Sequence, residues 1–315
     1  MREGTEVPTK REQFVQTMRA QFLGERMRAL REERGLTLKY VAEYLGVEFS
    51  TLARYERAEW PFRRDHVSAL LDVYGVHDEA KRAQLVELVE LAQDAWRIDQ
   101  WHQAYSAYDS ADGTVIDPWW LQCRAEELCI YAATLVPDLV QTREYADAVV
   151  RHVEKAVLRA DNVVRQVIAR QQVLEDKKPS TRLTIVMEEP VLARPVGGRA
   201  VLQQQLEHLA RLVERPHVNI RVLPTQVGWH PGIHGTFTLC RMARPYPPVA
   251  VAEHLGGRLI LEAAAADRYA AAFDKLTELA LDPMRSADLI GKAAGSGAAR
   301  PGESAPAPAG QGAAA

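Results

Sequence analysis

Long apolar runs are missing from this 315-residue chain. Without a stretch of about 18 consecutive apolar residues no segment qualifies as a membrane-crossing helix, and the opening MREGTEVPTKREQ lacks the apolar centre of a signal peptide. A cytoplasmic protein is therefore expected. Cysteine is scarce: Cys123, Cys129 and Cys240 are odd in number and form no CxxC pair, which argues against a zinc site, a redox motif or a disulfide framework. All three are expected to be buried as small apolar side chains. Phosphate-cradling loops of the GxGxxG or Walker type are missing, as are GxSxG and any Cys/His arrangement for nucleophilic catalysis. Glu188 and Glu189 sit together at the end of a strand-like run, so they point to opposite faces and are expected to form a solvated edge rather than an acid–base pair. No catalytic residue, cofactor or metal is assigned, and the chain is not expected to be an enzyme.

What is present begins with LKYVAEYLGVEFSTLARY, Leu38 to Tyr55. Leu38, Val41, Ala42 and Leu45 follow the spacing of one helical face. Gly46 then suits the position where the chain leaves one helix and enters another steeply, because glycine reaches positive φ without a steric penalty. Val47 can bury in the corner, and Leu52 and Tyr55 can anchor a second helix against the first. Phe49, Ser50, Thr51, Arg54 and Arg57 are left on its outer side, the side a DNA major groove would meet. An αα-hairpin in any bundle needs a similar corner. The combination of Ala42, Gly46, Val47 and Leu52 with outward basic residues favours a DNA-reading helix-turn-helix.

The charge distribution agrees. The chain carries a net charge of −3, yet from Lys10 to Arg64 twelve basic side chains face eight acidic ones. A basic module is thus followed by an acidic one, and phosphate attraction depends on local charge.

The segment from Leu23 to Trp60 resembles the Xre, or Cro/cI-type, helix-turn-helix domain. The resemblance implies a mainly α, five-helix N-terminal domain with a first helix near Leu23 to Arg34, a supporting helix from Thr37 to Leu45, a recognition helix from Glu48 to Arg57 and a fourth from Arg64 to Tyr74. It further implies base contacts from Phe49, Ser50, Thr51 and Arg54. Arg26, Lys39 and Arg57 are assigned to the phosphate backbone. Two positions depart from the family pattern: Glu48 stands where a capping Ser or Thr is usual, and Ala58 where glycine is common. A further helix is expected from Asp78 to Trp96.

Composition divides the remainder. Residues 1–11 read as a flexible arm, 12–97 as the DNA-binding domain, 98–118 as an aromatic-rich connector, 119–291 as a second domain, and 292–315, rich in Ala, Gly and Pro, as a disordered tail. In and beside the connector, Trp101, Tyr105, Tyr108, Trp119 and Trp120 alternate with acidic residues, so packing is favoured over nucleic-acid stacking. In the second domain, Val140 to Val157, Asp161 to Leu174, Val201 to Val213, Ala264 to Leu281 and Pro283 to Ile290 read as helices. Arg182 to Met187, Asn219 to Leu223, Thr236 to Met242, Val249 to Glu253 and Arg258 to Leu261 read as strands. An α+β domain with an antiparallel sheet is expected. The run Trp229-His230-Pro231-Gly232-Ile233-His234-Gly235 is a loop, so its two histidines do not have helical metal-ligand spacing. They are expected to bond nearby carbonyls, with Trp229, His230 and His234 edging a possible ligand pocket.

This half is similar to the uncharacterised C-terminal domain of actinobacterial Xre-type regulators, through LVPDLVQTREYADAVV (Leu135 to Val150), ARPVGG, HVNIRVLP and GWHPGIHGTFTL. The resemblance implies a domain that binds a ligand or a partner protein, often a small companion protein. The expectation for the whole chain is a homodimeric transcriptional regulator of operator DNA. The alternative is an antitoxin-like or scaffold protein that mainly holds a companion and binds DNA for autoregulation.

Overall fold

The structure is a computed structural model that describes residues 16–93, 118–153, 157–171, 181–254 and 257–296. The expected arm, nearly all of the connector and the tail beyond Ser296 lie outside the described residues.

The N-terminal unit comprises α1 (Met18–Glu33), α2 (Leu38–Leu45), α3 (Phe49–Glu56), α4 (Arg64–Val73) and α5 (Glu79–Gln93). Its helix starts follow the residues. Thr17 Oγ1 accepts from the Ala20 amide and Thr37 Oγ1 from the Tyr40 amide, which satisfies donors that a helix N-terminus leaves open. Leu23, Met27, Leu30, Val41, Ala42, Leu52, Tyr55, Val67, Leu70, Leu71, Leu85, Leu88 and Val89 form one apolar core. α1 begins five residues before Leu23, because its first turn has a second place to pack: Met18 is buried in the core of the other unit.

The second unit is built on α6 (Pro118–Gln122), β1 (Ala125–Ala132), α7 (Arg143–Val153), α8 (Val157–Arg170), β2 (Arg182–Glu188), α9 (Arg199–Leu212), β3 (Val218–Leu223), β4 (Phe237–Met242), β5 (Val249–His254), β6 (Gly257–Glu262), α10 (Ala264–Leu279) and α11 (Pro283–Ser296). The sheet is mixed, in the order β3-β2-β1-β4-β5-β6, which corrects the expected antiparallel sheet. β1, β2 and β3 run parallel, with Ile130 opposite Ile185 and Ile185 opposite Ile220, while β4, β5 and β6 form an antiparallel meander. The cause lies in the connections. α7 and α8 separate β1 from β2, and α9 separates β2 from β3, so each strand returns to its starting end before the next begins. β1 (AEELCIYA) is not among the expected strands because both its faces are covered, which erases a simple alternation. Leu128 and Ile130 face the layer of α9 and α11, and Cys129 and Tyr131 face α10.

Two smaller expectations also change. Cys129 and Cys240 are buried and their thiols are pushed up to about 11 and about 12 by burial, but Cys123 is exposed at the end of the short α6. Residues 292–296, assigned to the tail, continue α11 as helix, with Ile290 and Ala294 buried in the core.

Candidate functional site

In the N-terminal unit the corner is formed as the glycine requires: Gly46 has φ 64° and ψ 30°, and the amides of Gly46 and Val47 close the end of α2 on the carbonyls of Glu43 and Ala42. Leu52 and Tyr55 are buried behind α3. Phe49, Ser50, Arg54 and Arg57 are exposed on its other side, with Thr51 partly covered. Lys39 is exposed at the start of α2, and Arg26 is half-buried on α1. Glu48 occupies the N-cap position of α3 and makes no side-chain cap, as its chemistry suggests. Ala58 lies just beyond α3 with φ 54°, a left-handed conformation that explains why glycine suits this position.

α3 is held from behind by two devices. α1 crosses it at Gly24, where a Cβ would stand 2.6 Å from the Glu56 carbonyl oxygen, so any larger residue would push the helices apart. Next to this crossing, Arg31 and Glu56 form a buried bidentate pair, with Nε to Oε1 at 2.7 Å and Nη2 to Oε2 at 2.9 Å, and Arg31 Nη1 also donates to the Leu36 carbonyl. The Arg31 guanidinium is held further in its charged form by Glu56, against the opposing effect of burial. Outside, Arg57 pairs bidentately with Glu59, and the Arg54 guanidinium lies 4.6 Å from the centre of the Trp60 ring. An aromatic face restrains a guanidinium without consuming its donors. Sequence patterning missed Glu59 and Trp60 as partners of α3 and its end. It also missed Tyr40 and Tyr44, exposed four residues apart on α2, although both lie off the apolar stripe of Leu38, Val41, Ala42 and Leu45.

A second surface forms at the carboxyl ends of the parallel strands. β4 starts where β1 finishes, with Phe237 opposite Tyr131, so the chain from β3 must cross over the ends of β2 and β1 to reach it. That crossing is the loop predicted to carry Trp229, His230 and His234. In open α/β sheets such a change of direction is where a crevice opens. Tyr131 donates its hydroxyl to Glu188 Oε1 at 2.6 Å, and His230 Nε2 lies 3.2 Å from the same oxygen. Burial, aided by Glu188, holds the Tyr131 phenol far above its ordinary value and so in its donor form. Gly232 packs directly on the Tyr131 ring, with no room for a Cβ. His230 Nε2 thus faces a carboxylate rather than bonding a carbonyl, and Glu188 holds the Tyr131 hydroxyl beneath the loop rather than forming a solvated edge. Glu189 turns away and accepts the Thr225 amide. His234 is exposed and is not brought to the Glu188 cluster, while Trp229, 75% exposed, and Ile233, 60% exposed, project from the anchored loop.

Among the described residues no helix is long and apolar enough to cross a membrane. Residues 119–292 match the family described as Domain of unknown function (DUF5753), and residues 23–85 match a helix-turn-helix domain. Comparison with curated proteins and with solved structures finds no match. The N-terminal unit is thus a helix-turn-helix domain, which points to a DNA-binding regulator, and through the larger match the chain belongs to the DUF5753 family.

Proposed function

We propose that this protein is a sequence-specific transcriptional regulator of the Xre type that reads operator DNA with α3 as a cytoplasmic homodimer. The observation that carries the proposal is the exposed row of Phe49, Ser50 and Arg54 on a helix braced from behind by Gly24 and the Arg31–Glu56 pair. In this reading Arg54 bonds guanine O6 and N7 with its planar fork. Phe49 meets a thymine methyl, Ser50 and Thr51 serve bases or phosphates, and Arg26, Lys39 and Arg57 neutralise the backbone. Two half-sites would lie about 34 Å apart. Arg54→Ala should remove ~1 to 3 kcal/mol of discrimination at one position of each half-site. Binding of specific, singly mutated and random duplexes measures this, and an equal loss on all three would contradict the role.

The second unit would bind a partner or ligand through the loop carrying Trp229, His230 and His234. Two large apolar side chains displayed on an anchored loop favour a protein partner, because aromatic anchors dominate protein interfaces. Co-purification of a small stoichiometric companion, lost in Trp229→Ala, would support this. A bound metabolite in the native mass spectrum would favour ligand sensing instead. A protein that mainly holds a companion, antitoxin-like, with DNA contact for autoregulation, is the alternative. In neither reading is the chain an enzyme.

A further inference from the structure

The first turn of α1 is shared between the two units. Arg19 and Glu262 are both buried, at 6% and 1% exposure, where α1 meets the end of the edge strand β6. The Met18 amide donates to Glu262 Oε2 at 3.0 Å, so a carboxylate from the sheet caps the helix that braces the recognition helix. Arg19 Nη2 donates to the Ile260 carbonyl at 2.7 Å, and its Nε lies 3.8 Å from Glu262 Oε1. Phe22 meets Trp120 edge-on, and Glu25 accepts from Arg124 at 2.7 Å, which continues the contact one turn further along.

Two observations mark this junction as more than packing. Arg19 Nη1 and Glu262 Oε1 are buried without a hydrogen-bond partner among the described residues, an arrangement that costs stability. Ala263, the residue after Glu262 and the N-cap of α10, has φ 53° and ψ −134°, a strained conformation for a residue with a Cβ. Strain and incomplete pairing persist only where the surroundings hold them. Here they sit between α1, which leads through Gly24 and Glu56 to α3, and α10, which packs on the Pro231–His234 turn of the crossing loop.

We propose that Glu262 and Arg19 are positioning residues for DNA reading: they clamp the first turn of α1 to β6 and so fix the orientation in which the second unit presents α3. The proposal rests on the reading of α3 as the DNA-contacting helix and goes beyond it.

The test uses the full chain with Cys123→Ser, leaving the other two cysteines buried, and spin labels at Tyr44→Cys on α2 and Leu158→Cys, 81% exposed in the native chain, on α8. With the labelled chain diluted in an excess of unlabelled chain, so that the distance within one subunit dominates, pulsed dipolar spectroscopy should give one narrow distance distribution for the otherwise native chain and a broad one for Glu262→Ala. A duplex with two half-sites should bind Glu262→Ala roughly tenfold more weakly if the competent orientation is then populated about one-tenth of the time. A single half-site should bind unchanged. Glu262→Gln, which keeps an acceptor for the Met18 amide, should restore part of the narrowness. If Glu262→Ala does not fold, Arg19→Met with Glu262→Leu fills the same space without charge and should show the same broadening. Native width in a folded variant overturns the clamp, as does an equal loss on single and double half-sites, which would mark a merely structural role. A native chain that binds no duplex defeats the DNA reading instead, while the distance widths still judge the clamp.

Discussion

In the N-terminal unit the exposed face of α3 and the corner before it lie within Leu38 to Trp60, on two helices joined at Gly46. In the second unit Tyr131 and Glu188, 57 residues apart, meet under a loop that arrives from a third strand. One surface is assembled by local helix chemistry and the other by sheet topology. Their rigidity also differs in kind. The first is braced by a buried ion pair behind an exposed helix, and the second by one carboxylate that gathers a phenol and an imidazole. Buried charge resists the loss of one partner poorly, whereas a partly exposed carboxylate that loses its phenol donor still has water within reach.

That contrast can be broken first at the ion pair. Arg31→Met leaves the buried Glu56 carboxylate without its partner and should cost ~3 to 5 kcal/mol in urea unfolding. Adding Glu56→Leu should recover most of the loss, and a double variant as unstable as the single would remove the pair from the account. Tyr131→Phe probes the other unit. Loss of a hydrogen bond to a charged acceptor should cost about 1.5 to 3 kcal/mol, with Glu188 still partly open to water, so the smaller penalty sharpens the difference between the two braces. Gly46→Ala should cost ~1 kcal/mol from backbone strain alone, since no atom lies within 4 Å of the added methyl. An unchanged melting curve would mean that the corner tolerates a left-handed alanine as Ala58 does. The smallest effect is a gain: Glu48→Ser supplies the missing cap of α3 and should add about 0.5 to 1 kcal/mol, observable as a raised denaturation midpoint without weaker duplex binding.

Much of the N-terminal unit was legible because the signals that make it are short-ranged. Thr37, Gly46, Leu52 and Tyr55 act within one or two helical turns, and the helices over Leu38–Leu45 and Phe49–Glu56 fall where the spacing of these residues puts them. In the second unit Arg182 to Met187 was legible by its β-branched content and the later strands as short apolar runs between Gly and Pro, but their directions were not. Parallel pairing of β1 with β2 depends on a crossover through α7 and α8, and no residue in either strand records it. The same limit hid Glu188. Its neighbours at the strand end suggest a polar edge, and only the route of the loop from β3 to β4 brings His230 and Gly232 over it.

By itself the sequence determined the helix-turn-helix, its outward basic face and the division of charge, because periodicity, caps and the glycine corner are properties of neighbours in the chain. Only the tertiary structure decided that the sheet is mixed, that Glu188 holds the Tyr131 hydroxyl beneath the crossing loop and that Glu262 caps α1 across 244 positions. Those contacts join groups that have no reason to meet until packing buries them together and leaves few other partners within reach.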